Sequence, residues 1–470
     1  MSDSATLIIF NAHIVDSNTD CKGAVIVHDG LIKSVFLGQA ASREAVLKVS
    51  TAFGCDGAEF FDAEGLTLMP SFIDMHAHFR YPGQTQKEDL DSGLAAAVAG
   101  GFGTLVLMPN TNPVVSTKEL GLAVKNEANS KNLARVFQTV SITKDFDGKD
   151  TSGIDELTSE EFPVISEDGH DVASAAVMFE GMQRAGKRGI IVACHCEDVS
   201  LAQAAKPYRQ RALGFMKQFG IPAGKVNVQT PNVPESIDFE IDGNLTKANS
   251  ILALAEDTAT ERNIEIAKLA GCHVHICHCS TKISMDAVRR AKAEIKAGLA
   301  PRDFACTVEV TPHHLGLTGT DAPYLRALVN PPLRCEEDRR AVIEALRDGT
   351  ADCIGTDHAP HTQDDKAAGS PGFTGLETAF AVCNSVLVRN EGFTLSQLSK
   401  LMSENPAKIL KIKSGKIAPG FNADFVLVNP TEEWVVNPVA FKSKGKSTPL
   451  EGRTLYGKVH ATFFAGKRVY

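Results

Sequence analysis

The chain reads Phe72-Ile-Asp-Met-His76-Ala-His78-Phe-Arg80 shortly after Pro70, and this stretch decides the fold prediction. Side chains two apart on a strand point the same way, so an apolar run ending in His-x-His aims two imidazoles at one point. Neutral imidazole is the commonest metal ligand in proteins. Arg80 adds a fixed cation where the carboxylate of a substrate could bind. The stretch therefore predicts half of a metal site at the end of a strand.

Around this stretch, short apolar strands alternate with helical patterns over roughly residues 68–410. Eight strand–helix repeats favour a parallel (β/α)8 barrel of the TIM type over a doubly wound sheet. The predicted strands are Phe72–Met75, Thr104–Met108, Arg135–Val140, Pro163–Ile165, Ile190–Ala193, Val274–Cys277, Thr307–Val310 and Cys353–Gly355. The predicted helices include Lys87–Val98, Ser174–Ala185, Ala259–Leu269, Ile283–Ala297 and Glu337–Leu346.

The two ends of the chain differ from this centre. Residues 6–37 and 420–470 carry short apolar runs separated by turn residues, as in β structure. We expect residues 1–67 and 411–470 to form a small β-sandwich domain beside a catalytic barrel of residues 68–410. The segment 205–250, with Pro222, Pro231 and Pro234, shows little periodicity. It is long for a loop, so we expect a lid or binding loop that shapes the mouth of the site or an oligomer contact.

Composition narrows the class of protein. The chain has 470 residues and a net charge of −9, with no basic block, which argues against nucleic acid as a partner. No stretch reaches the length of a membrane span, and the N-terminus lacks a basic region before its apolar run. Several of the 11 cysteines lie in buried-looking strands, which fits reduced thiols better than disulfides. We therefore expect a soluble cytoplasmic enzyme with no membrane partner.

Metal-ligand or acid–base residues follow five of the eight predicted strands. In a parallel barrel the catalytic groups come from the carboxyl ends of the strands, so these residues should meet at one face. The endings are His76-Ala-His78, Ser166-Glu-Asp168, Cys194-His195-Cys-Glu197, Cys277-His278-Cys-Ser-Thr281 and Thr356-Asp357-His-Ala-Pro-His361.

Other interpretations apply to single residues in this set. A histidine at a strand end often bonds a backbone carbonyl instead of a metal. Alternation turns Cys194 and Cys196 away from His195, and no paired C-x2-C is present, so we expect core thiols instead of a thiolate zinc site. Structural roles are also expected for His273, His275, His313 and His314.

Taken together, these motifs resemble the amidohydrolase superfamily and, within it, the class I dihydroorotases. The resemblance covers about residues 68–410, and the terminal β segments fit the small accessory domain of that family. The matching stretches, in family order, are Pro70–Gly83, Met108–Pro113, Ser166–Gly169, Ala193–Glu197, His275–Thr281, Asn330–Arg334, Thr356–His361 and Gly375–Phe380.

The resemblance implies one or two zinc ions. His76, His78 and Asp357 would bind the more buried zinc, and His195 and His278 a second metal. Many superfamily members bridge the two metals with a carboxylated lysine on the fourth strand, but no lysine stands in Pro163–Asp168. Asp168 would take the bridging place here, with Glu167 and Lys144 as competitors.

The resemblance also implies a substrate and a reaction. Arg80, Asn110 and His361 would surround the carboxylate of dihydroorotate, and Asn330 would lie near its ring. The reaction would interconvert dihydroorotate and N-carbamoyl-L-aspartate in de novo pyrimidine biosynthesis, with Asp357 as general acid and base. The alternatives are a hydantoinase, dihydropyrimidinase or allantoinase, or a non-catalytic amidohydrolase-like scaffold.

The motifs indicate less about the binding partners of the protein than about its reaction. We expect a small-molecule substrate and a homo-oligomer. No transcarbamoylase segment is recognisable in the chain, so association with aspartate transcarbamoylase in trans stays open.

Overall fold

A parallel barrel and a mixed sheet built from both ends of the chain make up the fold. The computed structural model describes residues 6–41, 44, 58–219, 234–319 and 327–470. Its strands are β1 (Thr6–Val15), β2 (Asp20–His28), β3 (Leu31–Leu37), β4 (Glu59–Asp62), β5 (Thr67–Pro70), β6 (Phe72–Ala77), β7 (Phe102–Leu107), β8 (Arg135–Gln138), β9 (Val164–Ser166), β10 (Ile191–Cys194), β11 (His273–Ile276), β12 (Ala305–Val310), β13 (Cys353–Ile354), β14 (Phe425–Val435), β15 (Thr454–Phe464) and β16 (Lys467–Arg468).

Strands β6 to β13 pair in parallel in the orders β6-β7-β8 and β9-β10-β11-β12-β13. Two backbone hydrogen bonds join these groups, from Ser166 N to Val140 O at 3.2 Å and from His78 N to His358 O at 2.8 Å. They close the ring, so the predicted (β/α)8 barrel is confirmed. Each of the eight predicted strands overlaps one barrel strand.

Helices follow the barrel strands and cover them. The longer ones are α1 (Leu90–Ala99), α2 (Lys118–Ser130), α3 (Ala175–Arg188), α4 (Val199–Gln218), α5 (Glu235–Ala270), α6 (Lys282–Lys296) and α8 (Glu336–Asp348). The short helix α7 (Pro312–Gly316) lies between α6 and α8. Shorter helices follow as α9 (Gln363–Ala367), α10 (Ala379–Cys383), α11 (Leu395–Ser399) and α12 (Asn405–Ile409), with π-helical turns at Asn384–Asn390 and Lys400–Glu404. Within the described ranges, none of these helices is long and apolar enough to cross a membrane.

The segment 205–250 differs from its prediction. The described parts are helical, because α4 runs to Gln218 and α5 begins at Glu235, and residues 220–233 lie outside the described residues. Pro234 does not lie within a loop; it immediately precedes Glu235, the first residue of α5. A proline there costs little, because the first N–H groups of a helix have no partner within the helix. The expected irregular loop is therefore wrong for these parts of the chain.

The terminal strands form one mixed sheet in the order β16-β15-β14-β5-β1-β2-β3, with β4 paired to β1. A flat sheet would place β15 and β2 about 19 Å apart, at nearly 5 Å per strand. Yet the turn after β15 meets the turn after β2, since a Cβ on Gly30 would lie 3.3 Å from Ala465. The sheet thus folds back on itself around one apolar cluster that includes Ile14, Phe425 and Phe463.

Candidate active site

The predicted metal ligands meet at the carboxyl ends of the barrel strands, but alternation alone does not bring them there. Ile73 and Met75 belong to the cluster that fills the barrel, whereas Ala77 packs in the layer between strands and helices. A register irregularity between Asp74 and Ala77 breaks the alternation. The irregularity therefore lets His76, rather than Ala77, face the barrel interior.

A left-handed backbone conformation orients the side chains of three further site residues. Arg80, His278 and Asp357 have φ angles of 54°, 35° and 48°, a region that residues with side chains rarely adopt. Such conformations cost energy and persist where the surrounding structure enforces them, most often at functional sites. In β11 and just after it, the interior positions are His275 and Cys277, so the positive φ of His278 is what redirects its ring toward the site.

Asp168 lies among four imidazoles. Its Oδ1 is 3.2 Å from His76 Nε2, 3.2 Å from His195 Nδ1 and 3.6 Å from His278 Nε2. Its Oδ2 is 3.4 Å from His78 Nε2. A carboxylate with both oxygens facing histidines from both sides has the arrangement that a bridging ligand needs.

Glu167 and Lys144, the other candidates for the bridging position, lie elsewhere. Glu167 accepts a hydrogen bond from Thr143 N at 2.9 Å and another from the Thr143 hydroxyl. Burial raises the pKa of Glu167 to about 7. Lys144 is exposed to solvent. Neither side chain reaches the imidazoles.

Hydrogen bonds fix the tautomers of the first two histidines. His76 Nδ1 donates to Glu309 Oε1 at 2.9 Å, and His78 Nδ1 donates to Asn110 Oδ1 at 2.8 Å. The lone pair of each Nε2 is therefore directed into the site, as in a metal-ligating histidine held by a second hydrogen bond. Glu309 was not predicted from the sequence. A signal was available, since a glutamate within an apolar strand before Thr-Pro is buried, and a buried carboxylate requires partners.

The donor set fits a metal. His76 Nε2 is buried and has no hydrogen-bond partner. His195 Nδ1 and His278 Nε2 approach to 2.9 Å, which directs two nitrogens at the same point. Two overlapping groups have ligand atoms within 4.8 Å of one another, and they consist of His76, His78 and Asp357, and of His76, Asp168 and His278.

Deeper in the barrel, His76 and Glu309 also approach Cys277, and Glu309 and His275 approach Cys353. Burial raises the pKa of the Cys277 thiol to about 12 and that of the Cys353 thiol well above its usual value. Both thiols are therefore neutral. Cys194 and Cys196 pack in the layer outside the barrel, so their prediction as core residues is confirmed.

Electrostatics keep both aspartates ionised. Burial opposes the charge of Asp168, but the adjoining imidazoles of His76, His195 and His278 hold its pKa well below the usual range. Burial likewise opposes the charge of Asp357. The contact of its Oδ1 with His78 Nε2, at 3.2 Å, and the nearby imidazole of His76 outweigh burial and lower the pKa of Asp357.

A cavity of about 210 Å³ opens beside the aspartates. Arg80, 7% exposed, donates from Nε to Pro360 O at 3.3 Å, and its Nη2 lies 3.4 Å from His361 Nε2. His361 Nε2 donates to Pro371 O at 2.8 Å. Burial and the charge of Arg80 lower the pKa of His361 to about 3, so this imidazole is neutral. The predicted residues Arg80, Asn110, Asn330 and His361 all line the cavity.

Helix α4 contacts residues at the border of this cavity, which the sequence did not predict at the level of residues. Arg209 Nη1 donates to Asn330 Oδ1 at 2.7 Å. Leu213 packs so closely on Gly369 that a Cβ there would lie 2.7 Å from it. The helix thus supports two segments that border the cavity.

The chain matches the model of the amidohydrolase family over residues 67–469. It is 37% identical to a dihydroorotase of Clostridium botulinum (strain Eklund 17B / Type B) over 465 residues, which cover 99% of each chain. It is 36% identical to the dihydroorotase of Bacillus subtilis (strain 168) over 436 residues, covering 91% of this chain and 92% of the relative.

Solved structures show the same fold. An L-hydantoinase (dihydropyrimidinase) from Arthrobacter aurescens matches with a TM-score of 0.78 and 22% identity, covering 98% of this chain and 95% of that one. A dihydropyrimidinase from Brevibacillus agri NCHU1002 matches with a TM-score of 0.77 and 20% identity, covering 98% and 94%. At these identities the likeness concerns the fold alone.

Proposed function

The chain belongs to the amidohydrolase family and to its dihydroorotases, and we propose that it interconverts L-dihydroorotate and N-carbamoyl-L-aspartate in pyrimidine biosynthesis. It is a hydrolase that acts on a cyclic amide. The observation that carries the proposal is the identity of 37% to a dihydroorotase over nearly the whole of both chains.

The cavity supports this substrate over a neutral ring. A buried guanidinium is the feature that a carboxylate-bearing ring requires, because Arg binds a planar carboxylate through two parallel hydrogen bonds. Arg80 is buried among Pro360, His361 and the cavity, with no carboxylate hydrogen-bonded to it in the described residues. Hydantoinases share the fold, yet the more similar sequences are dihydroorotases.

The proposed metal ligands are His76, His78, Asp168, His195, His278 and Asp357, and the proposed metal is zinc. The unpartnered Nε2 of His76 and the approach of His195 to His278 support a cation at this place. When bound, zinc lowers the pKa of a coordinated water and polarises a carbonyl group. One or two ions would suit the two overlapping groups of ligands.

In the proposed reaction, the carboxylate of the substrate binds Arg80, Asn110 and His361, and the ring lies against Asn330. Water adds to the ring carbonyl as Asp357 accepts its proton. The carbon–nitrogen bond then breaks, and Asp357 gives that proton to the leaving ring nitrogen. Asp357 lines the cavity together with Arg80 and Asn330, where the ring would lie, so it is the carboxylate proposed for this transfer.

Three further proposals concern the protein beyond its site. We propose a cytoplasmic location, in keeping with the free thiols of the described cysteines. A homo-oligomer and association with aspartate transcarbamoylase are proposed from the family resemblance.

The Asp357→Asn variant tests the proton transfer. The amide cannot accept the proton, so we expect kcat to fall at least about 10³-fold in both directions. Turnover would be followed by ring absorbance, and zinc by elemental analysis of the same samples. Asp364→Asn, an exposed carboxylate on the same α9 segment, is the matched control and should keep near-normal turnover. Near-normal rates in Asp357→Asn would contradict the assignment.

A further inference from the structure

Lys366, on α9, is a buried cation that the reaction does not use. Its side chain is 4% exposed, and its Nζ donates to three backbone oxygens, Leu328 O at 3.0 Å, Ser370 O at 2.9 Å and Gly372 O at 2.8 Å. Buried lysines are rare unless a carboxylate pairs with them. Within the described ranges Lys366 has no such partner, and burial lowers its pKa to about 7.

The three carbonyls belong to two segments that border the cavity. Leu328 immediately precedes Val329 and Asn330, which line the cavity, and Ser370, Pro371 and Gly372 form another part of its border. The segments also meet directly, because Gly372 N donates to Leu328 O at 2.8 Å. One ammonium group therefore ties both borders of the cavity together.

The second segment is held tightly as well. Gly372 has a φ of 115°, and a Cβ there would lie 2.8 Å from Ala359. His361 Nε2 donates to the carbonyl of Pro371, which lies between Ser370 and Gly372, the two residues of this segment whose carbonyls Lys366 binds. The orientation of His361 is thus linked to the hydrogen bonds of Lys366.

We propose that Lys366 is a positioning residue for substrate binding, whose three hydrogen bonds hold Asn330 and His361 at the correct separation around the ring and its carboxylate. The inference rests on the proposed function for its substrate and extends it to a residue that does not line the cavity. Since the hydrogen bonds shape the pocket before the substrate arrives, their loss should chiefly weaken binding.

Lys87 provides a matched control. Like Lys366, it lies near the pocket, and the charges of both lysines contribute to the lowered pKa of His361. Unlike Lys366, it pairs with a side chain, at 3.6 Å from Asp365 Oδ2. A variant of Lys87 therefore removes a comparable charge and leaves the three carbonyl contacts intact.

The test compares Lys366→Met and Lys87→Met as zinc-loaded full-length proteins with dihydroorotate as substrate. We expect KM to rise about 10-fold or more in Lys366→Met, with kcat within about threefold of the parent, and KM to stay within about twofold in Lys87→Met. Equal increases in KM in the two variants would overturn the proposal in favour of a simple charge effect. An unchanged KM in Lys366→Met would overturn it outright.

Hydrogen exchange provides a readout that does not depend on activity. In Lys366→Met, we expect faster exchange in peptides that contain residues 327–330 and 368–374, and unchanged exchange in the barrel strands. Faster exchange throughout the barrel would mean a general structural role and would contradict the proposal. If the parent fails to hydrolyse dihydroorotate, the proposed function falls, whereas the exchange pattern still decides whether Lys366 holds the two segments.

Discussion

At the scale of single residues, neighbouring carboxylates have opposite environments. Asp168 faces four histidines, whereas the adjacent Glu167 points to Thr143. Their pKa values are shifted in opposite directions, since imidazoles stabilise the charge of Asp168 and burial favours the neutral form of Glu167. Of these two neighbours, Asp168 is therefore the one that we propose as a metal ligand.

This contrast gives a prediction for metal content. Asp168→Asn should lower the zinc bound per chain, because an amide is a weaker ligand than the carboxylate among the four histidines. Glu167→Gln should keep the zinc of the parent, because the neutral form of Glu167 already resembles an amide. Elemental analysis after gel filtration measures both. Equal zinc in Asp168→Asn and the parent would contradict the bridging role.

Arg80 gives a second prediction at this scale. Arg80→Met should lower kcat/KM for dihydroorotate by about 10- to 100-fold, since a hydrogen bond to a charged group contributes about 1.5–3 kcal/mol. Any turnover of dihydrouracil, which lacks the carboxylate, should change little. Parallel assays of the two rings give the comparison. Equal losses on both would indicate damage to the site in general instead of loss of a carboxylate contact.

At the scale of elements, Glu256 on α5 joins the helix to the chain after β11 by hydrogen bonds and to Arg334 by a buried ion pair. Glu256 accepts from Arg334 Nη2 at 2.8 Å, from Ser280 N at 2.8 Å and from Thr281 N at 3.0 Å. Burial opposes its charge, but Arg334 and Ser280 outweigh burial and lower its pKa to about 2. The same contacts anchor the chain just after His278.

Stability should therefore depend on the ionisation of Glu256. Its pKa is lower in the folded chain than the ordinary value of 4.5, so its contribution is complete above that pH and is lost as the pH falls toward 2. Glu256→Gln should cost about 3 kcal/mol at pH 7, since it leaves Arg334 buried without its partner. The difference from the parent should shrink below pH 4.

Denaturant unfolding at several pH values measures this effect. Glu265→Gln, which breaks a surface pair with Lys268 on the same helix, is the control and should cost less than about 1 kcal/mol. A constant difference between Glu256→Gln and the parent from pH 7 to pH 3 would show that the charge of Glu256 is not what matters.

The elements were predictable where periodicity was strong and local. The strand Phe72–Met75 was expected and extends to Ala77, and the helix expected at Ile283–Ala297 is Lys282–Lys296. The end of α5 was expected as the helix Ala259–Leu269, but α4 and the first part of α5 were missed because prolines near position 230 suggested a break, although Pro234 favours a helix start. The irregularity before Ala77 and the positive φ of His278 depend on contacts distant in sequence, so alternation could not reveal them.

At the scale of the whole molecule, barrel closure assembles the site from strands far apart in the chain. His76 and Asp357 come from neighbouring strands of the ring that lie at opposite ends of the barrel sequence. The C-terminal segment also supports this junction, because Glu88 accepts hydrogen bonds from His358 Nε2 at 3.3 Å and from the Ser443 hydroxyl. The sequence motifs predicted which residues would meet, but not Glu88 or Glu309, whose partners are remote in sequence, nor Lys366, which binds backbone carbonyls that no motif marks.

The most direct test of the account is the hydrolysis of dihydroorotate, dihydrouracil and allantoin by purified protein of known zinc content. We expect turnover of dihydroorotate, loss of that turnover on chelation and its return with zinc. We also expect at least about 100-fold lower kcat/KM for the two other rings, because they lack the charged hydrogen bonds. A preference for dihydrouracil or allantoin, or no turnover of any ring by zinc-loaded protein, would contradict the account.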